Sequence, residues 1–327
     1  MTGYFAPAGA ALAAAAYCLV HAVPLAAAQP KAPPVPAADQ AQAEEILVIG
    51  RRSGAPMWRV TGEETTIILV GGINGVSKAT KWDPEALMEA LRRADRVMFP
   101  QSMALTASPF SAIGWIAKWK KMASLPKGQS LNQFLAPEHI RRLEVLEARG
   151  VAKDGFEGRH PLHLGQDLQD KAKGDIDYSR NAAEYVARAV KKYDLPVTVD
   201  PIARGKAKPV VKDLFASSPG EHVPCLIDSI TAAEAGPAAV QARSDAWAAR
   251  RVQEVLASPA EGFHNSCWPH GAGLGPSRDD LIAQMRQLLS EKQVTVAVLG
   301  LRSLAEKGGI LDSLEAAGYD VAGPAWK

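Results

Sequence analysis

The sequence has little net charge. Its 37 Lys and Arg against 35 Asp and Glu leave a formal +2, too small for a strong global field toward nucleic acid. A nucleic-acid partner is therefore not expected. Basic clusters do occur locally, at Arg51–Arg52, at Lys118–Lys121 around Trp119, and at Arg204–Lys212. Tryptophan among lysines can stack on bases, but an amphipathic helix with a solvated basic face is the commoner source of such a cluster. Cysteine is scarce, with three in 327 residues. No segment after residue 28 approaches transmembrane length. The chain also lacks a P-loop, a dinucleotide-binding glycine fingerprint, a nucleophile elbow and a zinc-protease helix motif.

Charge is missing altogether from side chains 1–28, which are rich in alanine and end in Ala26-Ala27-Ala28 before Gln29-Pro30. Small residues at that position are a secretory cleavage pattern. Export with cleavage after Ala28 is expected. The alternative is an uncleaved anchor, disfavoured by Pro7, His21 and Pro24 within a short run. Cleavage would leave Cys225 and Cys267, an even pair that predicts a disulfide in an exported chain; two separate buried thiols are the alternative. Residues 29–55 are rich in Pro, Ala and Gln in their first half and read as a disordered linker. One domain is expected over 56–327, with a helical insertion over about 104–260.

What is present centres on Thr65–Asn74, TTIILVGGIN. A β-branched apolar run ending in two glycines reads as a strand buried on both faces. Asn74 then lies just beyond its carboxyl end, where open α/β sheets place ligands. Val294–Ser303, VTVAVLGLRS, repeats the arrangement, with Gly71 to Asn74 and Gly300 to Ser303 at equal spacing. Each strand precedes a helical stretch and a second short apolar run, a pattern that fits a distant internal repeat as well as ordinary α/β alternation.

Between these segments, Pro56–Val60 and the Thr65 strand predict a hairpin. Asp83 and Pro84 predict a helix start ahead of Leu87, Leu91 and Ala94. Further helices are expected over Pro137–Arg149, Ser179–Tyr193, Arg278–Leu289 and, broken at Gly236-Pro237, Val223–Leu256. Leu195–Asp200 predicts a buried strand presenting Asp200, and Ala203–Lys212 a basic loop. Trp82 is a candidate companion for Phe110, Trp115 and Trp119 in a core. His160 and His163 are read as core or surface histidines rather than metal ligands, since Pro161 separates them and no third ligand is near. Cys267 and His270 form a Cys-x-x-His pair without further local ligands. Arg278 sits at a helix N-terminus, where a cation is unfavourable, so a specific partner is expected.

The segments PMWRV, TTIILVGGIN, ALRRADRVMF, GDIDYSRNAAEYV, LPVTVD, RDDLIAQM and VTVAVLGLRSLAEKGGILDSLEAAGYDV span most of Pro56–Val321. In that order they resemble the TraB/GumN family of the Tiki/EreA/ChaN-like superfamily. The resemblance implies an α/β fold of two related half-modules sharing a central sheet flanked by helices, with the site at facing strand ends. It implies a periplasmic setting, or the inner membrane for an anchored form. Superfamily members have been described as metal-dependent peptidases, esterases, pheromone-shutdown factors and haem binders.

The family's central residues are a histidine after each main strand, an acidic residue after the second strand and an Arg-Asn pair on the late helix. Here those positions fall on Asn74, on Ser303 preceded by Arg302, on Pro100 or Gln101, and on Arg278 followed by Asp279. Asn and Ser are weak ligands and not basic, so no cofactor is expected. The leading expectation is a non-catalytic member holding a small polar molecule or peptide with Gly71, Asn74, Gln101, Asp200, Arg278, Gly300, Arg302 and Ser303. A hydrolase using a divalent metal and relocated groups, drawn from Asp200, Asp279, His160, His163, His264 and His270, is the alternative. Haem binding is a third and weaker possibility.

Overall fold

The computed structural model describes residues 54–62, 65–99, 102–106, 108–198, 202–261 and 277–327. The expected leader, linker residues 29–53, Pro100, Gln101, Asp200, His264, Cys267 and His270 lie outside the described residues; the last two residues of the expected linker, Gly54 and Ala55, are instead buried, with the Gly54 amide donating to the Ala248 carbonyl at 2.7 Å.

Strands β1 (Met57–Thr61) and β2 (Thr66–Gly72) pair antiparallel as the expected hairpin, from Met57 opposite Val70 to Thr61 opposite Thr66. In β1 burial alternates, with Trp58 and Val60 inward and Arg59 and Thr61 outward, as a strand with one covered face requires. Trp58 is fully buried and still satisfies its indole by donating to the Pro324 carbonyl at 2.8 Å.

Short strands β3 (Val76–Ser77) and β4 (Arg96–Met98) follow, and β5 (Ser102–Thr106), β6 (Ile176–Asp177) and β7 (Ile202–Lys206) come from the middle of the chain. Strand β8 (Thr295–Gly300) runs parallel to both β2 and β4, and β9 (Asp320–Ala322) pairs antiparallel with β1. The main sheet is ordered β4-β8-β2-β1-β9. Thr295 to Leu299 are buried without interruption, the mark of a central parallel strand covered on both faces.

Helices α1 (Glu85–Arg92), α5 (Ala182–Tyr193), α9 (Arg278–Leu289), α10 (Leu301–Ala305) and α11 (Ile310–Ala316) contribute apolar residues to this core. Helix α1 begins one residue later than Pro84, but Asp83 still accepts from the Glu85 amide at 2.9 Å. In the sheet β8 lies between β2 and β4, while β2 and its hairpin partner lie between β8 and β9. That order is compatible with two interleaved strand–helix–strand units; a duplication origin remains an expectation.

A second core is helical. Helix α2 (Pro109–Met122), α3 (Pro137–Ala148), α4 (Pro161–Ala172), α6 (Ala207–Ala216), α7 (Val223–Ala248) and α8 (Val252–Leu256) complete the set used below. Leu143, Leu146, Phe156, Leu164, Leu168, Leu226 and Ile230 are buried together. Gly165 lets α4 and α7 close on each other: a Cβ there would lie 3.0 Å from Ser229 Oγ. At Gly236 (φ 64°, ψ −166°) α7 kinks ahead of Pro237, whose ring and missing amide break a helix ladder. Its first half therefore belongs to the helical core and its second half turns onto the sheet.

Three expectations need correction. Leu195–Asp200 is not a buried strand where it is described: Val197 makes one parallel bridge to Val97 at the sheet edge, and 195–198 stay partly or fully exposed. Ala203–Lys212 is not a loop, because β7 pairs with β5 and runs directly into α6, whose Pro209 falls in the first turn where no amide is needed. Trp82 belongs to the sheet core, edge-on to Tyr185 and Trp247 at 4.8 and 5.0 Å, apart from Trp119.

Candidate functional site

The second half of α7 holds the segment that leaves β2. Trp247 Nε1 donates to the Gly71 carbonyl at 2.8 Å, Ser244 Oγ accepts from the Ser77 amide at 3.0 Å, and Asp245 accepts from Thr80 Oγ1 at 2.7 Å. Arg243 reaches furthest. Its Nη2 donates to the carbonyls of Asn74 and Gly75 at 3.2 and 2.9 Å, and its Nη1 to Ala260 at 3.0 Å. Irregular backbone beyond a strand must find partners for its polar groups, and this helix supplies them. Gly75 takes φ +77° against Ile176, which a Cβ would approach to 2.2 Å.

Arg243 is 3% exposed and pairs with Glu261 at 3.2 Å, whose side chain is 12% exposed. An ion pair ordinarily raises the arginine and lowers the acid. Here burial dominates: it raises the Glu261 carboxyl above its usual range, against the pull of Arg243 and Arg302. Burial likewise lowers the Arg243 guanidinium. Such a pair is costly to assemble, and one of its uses is to fix a single arrangement. Charge continues outward from it. Arg302 donates to the Leu256 carbonyl at 3.0 Å and lies 4.0 Å from Glu306, which also pairs with Arg278.

A cleft of about 120 Å³ opens beside Asn74, between α4 and α7, with Gln169, Lys173, Tyr178 and Arg243 among its walls. Two donors in its walls are buried and unpartnered, Arg243 Nε and Gln169 Nε2.

The expected site residues are only partly brought together. Gly72 and Gly300 lie opposite each other in register, so the two glycine tips do share one sheet edge. The equal spacing does not carry through, because Gly71 pairs with Leu299 rather than Gly300. Asn74 is exposed and Ser303 half-buried. Arg278 finds the partner its position called for, Glu306, together with the Gly308 carbonyl at 3.1 Å; it is a rim residue rather than the buried cation of the site. Asp279 is exposed in the first turn of α9, where Ser277 and Asp280 form the cap.

Arg243, Glu261 and Gln169 were not singled out from the sequence. A signal existed for the first: Val240, Arg243, Ser244 and Trp247 fall at i, i+3, i+4 and i+7, the spacing of a buried helix stripe.

His160 and His163 are core residues, 4% and 9% exposed, and belong to a separate cluster with His222, which is 2% exposed. The His160 ring lies 5.3 Å from that of His222 and 6.4 Å from that of His163, and Trp119 packs on His163 at 4.1 Å. Burial lowers all three; His160 falls to about 4, helped by His222 and His163. Ser217 Oγ and His222 Nε2 are 2.7 Å apart. Ser217 Oγ also lies 2.7 Å from the Leu214 carbonyl, so its one proton is shared between two acceptors, and its direction toward His222 depends on the imidazole tautomer.

The metal that the family resemblance implies finds no donor set among the described residues. Among the described residues no three of His, Cys, Asp or Glu are grouped to hold an ion, and the strand tips offer Asn74 and Ser303 instead of imidazoles. No step through a metal is derived. No curated protein and no solved structure matches the chain. The TraB/PrgY/gumN family profile matches residues 56–322, which takes in the hairpin, both glycine-tipped strands, the clamping half of α7 and the last strand. The chain is a member of the TraB/PrgY/gumN family.

Proposed function

We propose that the protein is a divergent, non-catalytic family member that holds a small polar ligand or peptide in the cleft beside Asn74. The observation that carries this reading is the pair of buried donors without acceptors, Arg243 Nε and Gln169 Nε2, in the walls of one cleft. A buried donor left unpaired costs about 1–3 kcal/mol. A carboxylate or carbonyl oxygen entering the cleft would relieve that cost once a small side-chain movement turns either donor toward it; of the rim charges, Lys173 is paired with Asp170 at 2.9 Å. Asn74 and Ser303 add neutral hydrogen-bonding capacity at the strand tips.

The test is thermal unfolding in the presence of acetate, succinate or diglycine. At least one of these should raise Tm, since a ligand at 100 times its Kd stabilises by about 2.7 kcal/mol. Gln169→Leu removes one donor without leaving a buried charge and should abolish the rise. An equal rise in the variant, or none with any probe, rejects the reading.

A hydrolase with relocated groups is the second reading. Glu261 favours it, as a buried carboxylate with a raised pKa among the groups that meet the Asn74 segment. Loss of ester or peptide turnover in Glu261→Gln would support it, and a protein without turnover would end it. We further propose export to the periplasm with cleavage after Ala28, and a Cys225–Cys267 bridge; two titratable thiols in the denatured, unreduced protein would exclude that bridge.

A further inference from the structure

The face of α2 that points away from the protein has no use in the site just described. Trp115, Trp119 and Met122 turn inward, with Trp119 and Met122 packed on Leu162, Leu214 and Cys225. Outward, Ile113 is 67% and Ile116 57% exposed. The next turn carries Lys118, Lys120 and Lys121, all exposed, and the neighbouring α6 adds exposed Lys208 and Lys212. Lys118 lies 5.9 Å from the Phe215 ring. No ion pair joins these five lysines to a described carboxylate. Between Asp95 and Glu138 the sequence contains no acidic residue.

We propose that this face docks on an anionic lipid surface. Two large aliphatic side chains held out in water, one turn before a lysine cluster, form the pattern of a helix lying in a membrane interface. The isoleucines enter the acyl boundary and the lysines, on long apolar stems, reach the headgroups. Charge complementarity selects anionic headgroups: the five lysines outnumber Asp213, the one carboxylate that α2 and α6 carry. Nucleic acid fits less well, because the Trp119 ring is covered by His163 and offers no open face for a base. None of the described helices is long and apolar enough to cross a membrane, so this contact would be lateral.

The test is co-sedimentation of the full chain with phosphatidylcholine vesicles and with vesicles containing phosphatidylglycerol. The readout is the difference between the two, since residues 1–28 have no charged side chain and should bind both alike. Binding to the anionic vesicles should be roughly tenfold higher at about 0.1 M salt and should fall toward the neutral value at about 0.5 M. Lys118→Glu/Lys120→Glu/Lys121→Glu should abolish the difference, and Ile113→Ser/Ile116→Ser should reduce it several-fold. The proposal is overturned by equal binding to both vesicles, or by a difference that survives the lysine changes. It is also overturned if the isoleucine changes have no effect, since a purely electrostatic face suits an acidic protein or nucleic acid instead.

Discussion

The molecule buries polar groups in two places and treats them in opposite ways. At the sheet edge Arg243 and Glu261 are buried as a pair, surrounded by backbone carbonyls that accept from the guanidinium. In the helical region His160, His163 and His222 are buried together as neutral imidazoles, with Trp119 packed on His163. The difference lies in what each group can give up. An arginine keeps its proton at any ordinary pH, so its burial must be matched by a carboxylate and acceptors. A histidine can shed its charge, so burial only moves its pKa. The sheet edge thus buries a permanent cation together with its partners, whereas the helical region loses stability as its histidines take up protons.

The contrast should be clearest when the pair is broken. Arg243→Met leaves Glu261 buried without its cation and frees the carbonyls of Asn74, Gly75 and Ala260. A loss of about 3–5 kcal/mol is expected from urea unfolding. Arg243→Met/Glu261→Leu should recover part of it, and a single-variant loss below about 1 kcal/mol would mean that the pair is not buried as described.

Acid should act on the other region. Burial holds the folded-state pKa of His160 at about 4, below the ordinary 6.5, and those of His163 and His222 are also lowered. The unfolded chain therefore binds more protons between these values. Stability is fully present above about pH 6.5 and declines as pH falls. From His160 alone the loss at pH 5 is about 2 kcal/mol. Arg159 beside His163 adds to this direction, while Asp167 and Glu221 oppose it. Urea midpoints measured from pH 8 to 5 check the slope. His160→Phe should flatten it and Arg243→Met should not.

The smallest effect tests whether burial, not pairing, sets the cost. Arg142 and Glu234 form a bidentate pair across α3 and α7 at 2.7–2.8 Å, but their side chains remain 30% and 34% exposed. Arg142→Met should cost under about 1 kcal/mol. A loss equal to that of Arg243→Met would remove the distinction between an exposed and a buried pair.

Much of the fold was legible because it follows local rules. The two central strands announced themselves as unbroken apolar runs closed by glycine, and the expected helix Arg278–Leu289 forms with those bounds, capped by Ser277 and Asp280. The stop at Gly236-Pro237 appears as a kink within α7. The sequence reading failed where partners are distant. LPVTVD has the composition of a buried strand, but its described part, 195–198, lies at the rim of the sheet, where Val197 meets one residue of β4. The site was read from residues next to the strand tips in the chain, and Arg278 was preferred over Arg243. Both are arginines in helices. Only the first sits at a helix N-terminus, where its charge looks anomalous, whereas the second is hidden in an ordinary helix stripe.

Sequence alone determined that two glycine-tipped strands exist and that the residues beyond them are poor metal ligands, because composition and period act within a few residues; continuous burial holds for β8, while Thr66 and Ile68 of β2 are only partly buried. The tertiary structure decided which cation serves those tips. Arg243 stands 168 residues beyond Gly75 in the chain, and it is the turn of α7 at Gly236 that carries its guanidinium to the carbonyls there. Contacts over such a separation depend on how helices pack and bend, which no local pattern encodes.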